Sequence, residues 1–557
     1  MKFKIALFLI LVFAFFLRAF NLSGNPPSLN WDEVSIGYNA YSVLKTGRDE
    51  WGQFLPTIFR AYGDYKLPVY VYSAIPTIFF FGLNSFSVRL ASVLAGTTTV
   101  FFSYLISKYL FKKQSLALLI AMLVAIEPWS LFLSRIALEA NLAVALVVAG
   151  IYFMIVGIEK ENHKNIFFSS ILLGLSLWTY NSARVFVPLF LISSFLIYFK
   201  TTTKILNKLF LPVALFCCFF IPMLWQVSHS EGSARYQNVK ILDDGAIAKI
   251  IEQRNTTNLP PKLSRLIFNK PVYFTKVFLS NYLSHFSTDF LFINGGNHYQ
   301  FNVPGNGLLF EINMIFMLTG IVVISHKKGK YKHVLFSWLL LAPIASSLTR
   351  ESPHALRDIV FLPLPMILSG VGIYWTYKNY PKFSKIFSLL YLFVLVFSFS
   401  LYLKNYTTSY KNEYSWAWQY GMSDVADFIT ANYQKYDKII VTKKYGEPHE
   451  FLLFYGASNN QSWALPENYL EDTNLNRFYQ TQWYWVDGFD KFYFMNDWQI
   501  PNSISDEFVQ ESKRQIDTKS GSILLVTSPD NYPREWHLAR SIYFLDGKKA
   551  FDIVEKI

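Results

Sequence analysis

The chain has 557 residues, of which 52% are hydrophobic, 18% aromatic and only 16% charged, with a formal net charge of +13. That balance excludes a disordered chain or an ordinary string of soluble domains, and it fits a membrane protein. Much of the basic excess lies in short loops between apolar runs, which reads as membrane topology and not as a nucleic-acid-binding face.

The N-terminal segment MKFKIALFLILVFAFFLRAF carries Lys2 and Lys4 ahead of its apolar stretch. No A-x-A-like cleavage site follows and Arg18 closes the run, so an uncleaved first span is expected. Further spans are expected near 86–107, 115–131, 138–158, 166–181, 183–199, 208–228, 308–324, 334–349, 356–377 and 386–404. Together with 4–20 they make eleven, each about long enough to cross roughly 30 Å of hydrocarbon. With the N-terminus inside, SKYLFKKQS, EKENHKN, FKTTTKILNK, SHKKGKYKH and YKNYPKFSK all fall on the cytoplasmic side. The odd count then places the C-terminal region outside. The expected organisation is a membrane domain over 1–404 and a soluble extracytoplasmic α/β domain over 405–557, in a chain integral to the plasma (inner) membrane.

The opposite set of loops has a different chemistry. It contains NWDEVSIGYNAYSVLKTGRDEWGQFLPTIFRAYGDYKLPVYVYSAIP, EPWSLFLSRIALEAN, WTYNSAR, a long stretch from about 229 to 307, and LTRESPHALRD. Acids, arginines, a histidine and aromatics gather on one face of the membrane, where charged groups are costly unless paired or facing water. A working site on that face is the expectation. In the first loop, Asp32 and Glu33 have a bland reading as cap and first turn of a helix EVSIGYNAYSVLKTG that Gly47 ends. The same loop also delivers Asp64 and Lys66, and Arg89 opens the next span. Trp31, Tyr38, Trp51, Tyr62, Tyr65, Trp178 and Tyr180 make either an interfacial belt or surfaces for sugar rings and a lipid chain. Arg89 and Arg184 can equally snorkel to headgroups, and Lys66 can simply lie at the interface.

Cys217 and Cys218 are neighbours at membrane depth, and adjacent residues on a helix point in different directions, so neither a disulfide nor a redox motif is expected. In the soluble part, KIIVT (438–442) and SILLVT (522–527) read as strands, EPHEFLLFYG as a helix, and SIYFLDGKKAFDIV as a hairpin turning at Asp-Gly. No phosphate-binding G-x-x-x-x-G-K and no Rossmann glycine fingerprint is present.

The order P-x-x-x-x-DE, a dozen helical residues, TG, K-x-P-x-Y and RL-x-S-x-L-x-G, followed by SRIALEAN, LWTYNSARVFVPL, YLSHFSTDFLFINGGN and SPHALRDIVFLPLP, resembles the polyprenol-dependent glycosyltransferases related to protein O-mannosyltransferases and lipid A aminoarabinose transferase. The resemblance covers about residues 5 to 400 and implies the helical GT-C membrane fold. It also implies a sugar carried on polyprenyl phosphate as donor, and a protein, lipid or glycan hydroxyl as acceptor. On this resemblance Asp32 is the general base, Glu33 orients the acceptor or the loop, and Glu139, with Arg135 beside it, falls where the mannosyltransferases have an Asp. Lys66, Arg89, Arg135, Arg184 and Arg357 are the cations for the donor phosphate, with Asp64, His354 and Tyr180 nearby in role. His354 reads as a hydrogen-bonding histidine before a metal ligand. The aminoarabinose branch can hold a divalent metal, and this sequence offers no match to both ligands. The alternatives are a polytopic transporter or flippase of a lipid-linked sugar, which needs ionisable groups near the bilayer midplane, and an oligosaccharide polymerase or ligase.

Overall fold

A computed structural model describes residues 1–61, 64–229, 236–480, 483–503 and 507–556; Tyr62 lies outside them. The chain divides into two compact units. The first comprises Met1–Arg18, Ser92–Ser134 and Glu139–Leu403, and the second Ala19–Ala91, Arg135–Leu138 and Lys404–Ile557.

The first unit is helical. Helical backbone underlies each of the eleven expected segments. Among the described residues five helices, Ser85–Phe111, Glu139–Glu159, Leu206–Ser228, Ile359–Asn379 and Ser384–Glu413, are long and apolar enough to cross a membrane. Asn181–Ile197, Gln114–Ile126 and Asn313–Ser325 are apolar but shorter. The segment expected as one span over 115–131 is two helices, Gln114–Ile126 and Pro128–Leu133. Pro128 cannot continue the ladder, and Glu127 at the break takes the backbone N–H of Phe310 at 3.0 Å and the side-chain amide of Asn313. The stretch 229–307, read as a loop, holds the helices Asp244–Thr256, Pro261–Ile267 and Lys270–Ser284.

The helices Asn313–Ser325 and Leu364–Asn379 touch through glycine. A β-carbon at Gly320 would overlap the Leu368 carbonyl, and one at Gly372 would overlap the Phe316 carbonyl. Small residues allow this approach where hydrocarbon provides no hydrophobic drive between helices. Gly320→Ala and Gly372→Ala are each expected to cost about 1–3 kcal/mol by overpacking, read as a lower melting temperature in detergent. Gly245→Ala, whose new methyl would meet only ordinary contacts at 3.5 Å or more, serves as the tolerated control.

In the second unit a seven-stranded sheet runs in the order His537–Tyr543, Lys549–Lys556, Ile523–Thr527, Lys438–Thr442, Phe492–Met495, Trp483–Phe489, Asn476–Gln480. The central strand pairs in parallel with both neighbours, Ile439 against Phe492 and Lys438 against Ile523, and the outer pairs are antiparallel. Ile439, Ile440 and Val441 are fully buried, as a strand covered on both faces must be. The expected strands, the helix (here Pro448–Ser458) and the C-terminal hairpin all form. The aromatic strands between 476 and 495 were not among those expectations.

The same unit contains the first loop. Its helix spans Trp31–Thr46 and packs on the helix Pro448–Ser458, where Gly37 has no room for a β-carbon against Phe454 and Val88. Gly47 ends it in the left-handed region, φ +72°. A two-stranded hairpin, Phe59–Ala61 with Asp64–Lys66, and the apolar helix Pro68–Phe81 complete this stretch.

Candidate active site

The acidic pair of the first loop is split by its surroundings. The cap of the helix is Asn30, not Asp32. The Asn30 side chain accepts the Glu33 N–H at 3.0 Å while Glu33 Oε2 accepts the Asn30 N–H at 3.2 Å, a reciprocal box that fixes the first turn. Asp32 is thereby released from capping, and its Oδ1 meets Lys66 Nζ at 2.7 Å. Asp32 keeps 27% of its side chain exposed and Lys66 14%. The hairpin sets this partner, since Lys66 is the last residue of its second strand and pairs with Phe59. Asp64 turns its Oδ1 to the N–H of Tyr65 at 2.7 Å.

Glu33 lies on the opposite side of this division, fully buried. Arg89 holds it with two parallel bonds, Nε to Oε1 and Nη2 to Oε2, both 2.8 Å, and the Ala137 N–H joins that of Asn30 as a further donor, at 2.8 Å. The rest of the Arg89 fork reaches the carbonyls of Leu22, Pro26 and Ser28 at 2.8, 3.1 and 2.5 Å. All five guanidinium N–H groups are used. Arg135 does a similar job, donating to the carbonyls of Phe20 and Asn25 at 2.9 and 2.7 Å and to the Tyr406 hydroxyl at 3.2 Å. Two buried arginines thus fix residues 20–28, the chain that leads into Asn30 and Asp32. Trp31 is seated against Gly446, where any β-carbon would strike its ring, and its N–H reaches Gln419 Oε1 at 3.3 Å.

Of the other expected site residues, Glu139, Tyr180, Arg184, His354 and Arg357 belong to the first unit. Glu139 is buried in the first turn of the helix Glu139–Glu159. Tyr180 is the N-cap residue of the helix Asn181–Ile197, and one turn on Arg184 donates to the Leu177 carbonyl at 2.9 Å and to Gln226 Oε1 at 2.6 Å. Arg357 pairs with Glu351 at 2.6 Å and donates to Thr349 Oγ1 at 2.9 Å. His354 accepts the N–H groups of Leu356 and Arg357 on Nδ1 at 3.2 and 3.3 Å, so this nitrogen is an acceptor, and its ring lies 5.2 Å from that of Phe301. Phe301 in turn stacks on His298 at 4.2 Å. An apolar cavity of about 470 Å³ in this unit is lined by Phe13, Leu119, Tyr374, Phe387, Tyr391 and Phe399, among others.

Sequence reasoning does not single out Glu50, His449 or Glu450, which are buried side by side in the second unit. Nor does it find Arg60, whose guanidinium stacks over Tyr484 at 4.0 Å and Trp51 at 5.0 Å. Neighbouring Asp49 is pushed up to about 6 by burial, against N–H donors from Gln53 and Trp51.

The chain thus combines apolar helices of membrane-crossing length, an acidic first loop braced by buried arginines, and a sheet after its last long helix. Residues 8–230 match the family model described as dolichyl-phosphate-mannose-protein mannosyltransferase. The fold is similar to that of ArnT from Cupriavidus metallidurans, with TM-score 0.55 at 11% identity over 99% of this chain and 97% of that one. It is also similar to the oligosaccharyltransferase AglB from Archaeoglobus fulgidus, with TM-score 0.51 at 12% identity over 84% of this chain and 64% of that one; that structure holds an inhibitory peptide and a dolichol-phosphate. No curated protein sequence matches the chain. The fold is therefore similar to the GT-C fold of ArnT, and residues 8–230 are similar in sequence to the protein mannosyltransferase family.

Proposed function

We propose that the chain is an inverting glycosyltransferase that moves one sugar from a polyprenyl phosphate to an acceptor hydroxyl on the extracytoplasmic face. The observation that carries this reading is the division of labour at the acidic pair. Glu33 is buried and saturated with donors, whereas Asp32, one residue earlier, stays accessible and is met by a single cation. Asp32 accepts the proton of the acceptor hydroxyl as its oxygen attacks the anomeric carbon. The bond from that carbon to the phosphate oxygen breaks, and the polyprenyl phosphate leaves with the electron pair. One displacement inverts the centre and needs one base, worth about 10²–10⁴-fold.

Lys66 supplies positive charge beside this step. Fixed cations where charge develops stabilise the departing phosphate in a way that free ions in water cannot. For Arg184 and Arg357 we propose recognition of the donor's phosphate, and for Glu139, Tyr180, Asp64 and His354 supporting polar contacts. Arg89 and Arg135 are assigned to positioning, because their donors already hold residues 20–33. An apolar cavity of about 470 Å³ suits part of a hydrocarbon chain. That the AglB structure contains a dolichol-phosphate supports a lipid phosphate as the donor's carrier. The eleven-span topology with the C-terminal domain outside belongs to the same proposal, since nucleotide sugars are not supplied there and a membrane-borne donor is needed.

The reading is tested with purified protein in lipid vesicles given a radiolabelled polyprenyl-phosphate sugar and a hydroxyl acceptor. Label in a new glycosidic bond, with free polyprenyl phosphate released in equal amount, is expected. Label crossing the bilayer with no bond formed would instead identify a transporter.

A further inference from the structure

We propose that Glu50, His449 and Glu450 bind one divalent transition-metal ion, zinc first among them, which fastens the loop after the helix Trp31–Thr46 to the start of the helix Pro448–Ser458. The three side chains offer one imidazole nitrogen and two carboxylate oxygens, all within 4.8 Å of one another. Any three points so close have a common centre no more than about 2.8 Å away, and zinc binds nitrogen and carboxylate oxygen at about 2.0–2.2 Å. Closure by under an ångström brings all three within bonding distance of one ion.

Two unsatisfied groups point to a ligand. Both ring nitrogens of His449 and the Oε2 atom of Glu50 are buried without a hydrogen-bond partner, with His449 only 2% exposed. A buried imidazole normally donates from one nitrogen and accepts on the other. Here Nε2 stands 3.8 Å from Glu50 Oε2, too far for a hydrogen bond and close to the roughly 3.4 Å that separates two ligands of one tetrahedral zinc. The opposite edge, Nδ1, faces Glu447 Oε2 at 3.6 Å. That is the carboxylate–histidine–metal order in which an outer carboxylate fixes the tautomer and turns Nε2 toward the ion. The other oxygen of Glu50 is held by Asn39 Nδ2 at 3.4 Å, and its N–H by Asn39 Oδ1 at 3.1 Å, so the loop presents Oε2 inward. Imidazole with carboxylates favours zinc, with manganese or iron next, over calcium or magnesium. The set supplies three protein ligands and leaves a fourth position for water, and Asn39 ties it directly to the helix that carries Asp32 and Glu33.

The test uses the full-length protein in detergent, stripped with EDTA and titrated separately with ZnCl₂ and MnCl₂. Metal content by mass spectrometry and melting temperature are followed together, with no need for an activity assay. One equivalent bound per chain and a rise in melting temperature of about 5 °C or more are expected. Glu50→Gln and His449→Gln should each abolish both responses. If these variants fail to fold, X-ray absorption of the zinc-loaded wild type decides, showing one imidazole and otherwise oxygen ligands. Absence of stoichiometric binding of either ion by the wild type, or full retention of it by both variants, overturns the proposal. Glycosyl transfer could fail in its own assay without affecting any of these readings.

Discussion

Asp32→Asn is expected to lower the turnover of sugar transfer by about 10²–10⁴-fold while leaving the melting temperature unchanged. The substitution keeps the shape of the side chain and a hydrogen bond to Lys66 through its amide oxygen, but removes the proton acceptor. The helix does not depend on it, because Asn30 and Glu33 cap the first turn between them. An interaction made only in the transition state lowers kcat and kcat/KM equally, so KM for the lipid donor should hold. A base can be told from a mere electrostatic anchor by varying the acceptor. As its hydroxyl is made more acidic it needs less help with its proton, and the deficit of the Asn variant should shrink. An equal deficit across a series of acceptors would remove Asp32 from the role of base.

Much of the helical architecture can be read in the sequence because hydrocarbon imposes a strong constraint. Every backbone group must be satisfied within its own segment, so an apolar run of sufficient length is a helix. Ser85–Phe111 and Glu139–Glu159 fall close to the expected 86–107 and 138–158 for that reason. The break at Glu127 does not show, because what holds its carboxylate is the N–H of Phe310, far along the chain. The strands Lys438–Thr442 and Ile523–Thr527 are short apolar runs between polar ones and declare themselves. The strands from 476 to 495 do not, since aromatic residues occupy both of their faces and hide the alternation of two. Phe489 and Phe492 are buried there, their rings 4.9 Å apart, while Tyr479 stays largely exposed.

The candidate site is legible where it is local. Asp32, Glu33, Asp64 and Lys66 lie within one loop, and their types alone suggest acid and cation acting together. The division of roles is not legible, because it is set by which carboxylate Arg89 reaches from the helix Ser85–Phe111. Glu50 and His449 are almost four hundred residues apart, and no spacing rule connects them. The EPHE stretch reads as a helix start, which it is; only the fold shows that this start meets the loop after Gly47.

Glu33→Gln is expected to cost about 3–5 kcal/mol of stability, the effect of removing one partner from a fully buried ion pair. The variant leaves Arg89 charged in an environment without water, and the amide cannot replace both carboxylate bonds or accept every N–H now directed at it. Arg89→Met should cost a similar amount, since it strips the carbonyls of Leu22, Pro26 and Ser28 of their donors as well as leaving Glu33 without its cation. The double variant is the informative one. If the two side chains act chiefly through each other, Glu33→Gln in the Arg89→Met background should cost at least about 2 kcal/mol less than it does alone. Strictly additive losses in denaturant or thermal unfolding would mean that each side chain works independently through its backbone partners. The contrast with Asp32 then separates the two acids experimentally. Loss of one leaves a folded protein with sharply lowered turnover, and loss of the other loosens the segment on which the first is mounted.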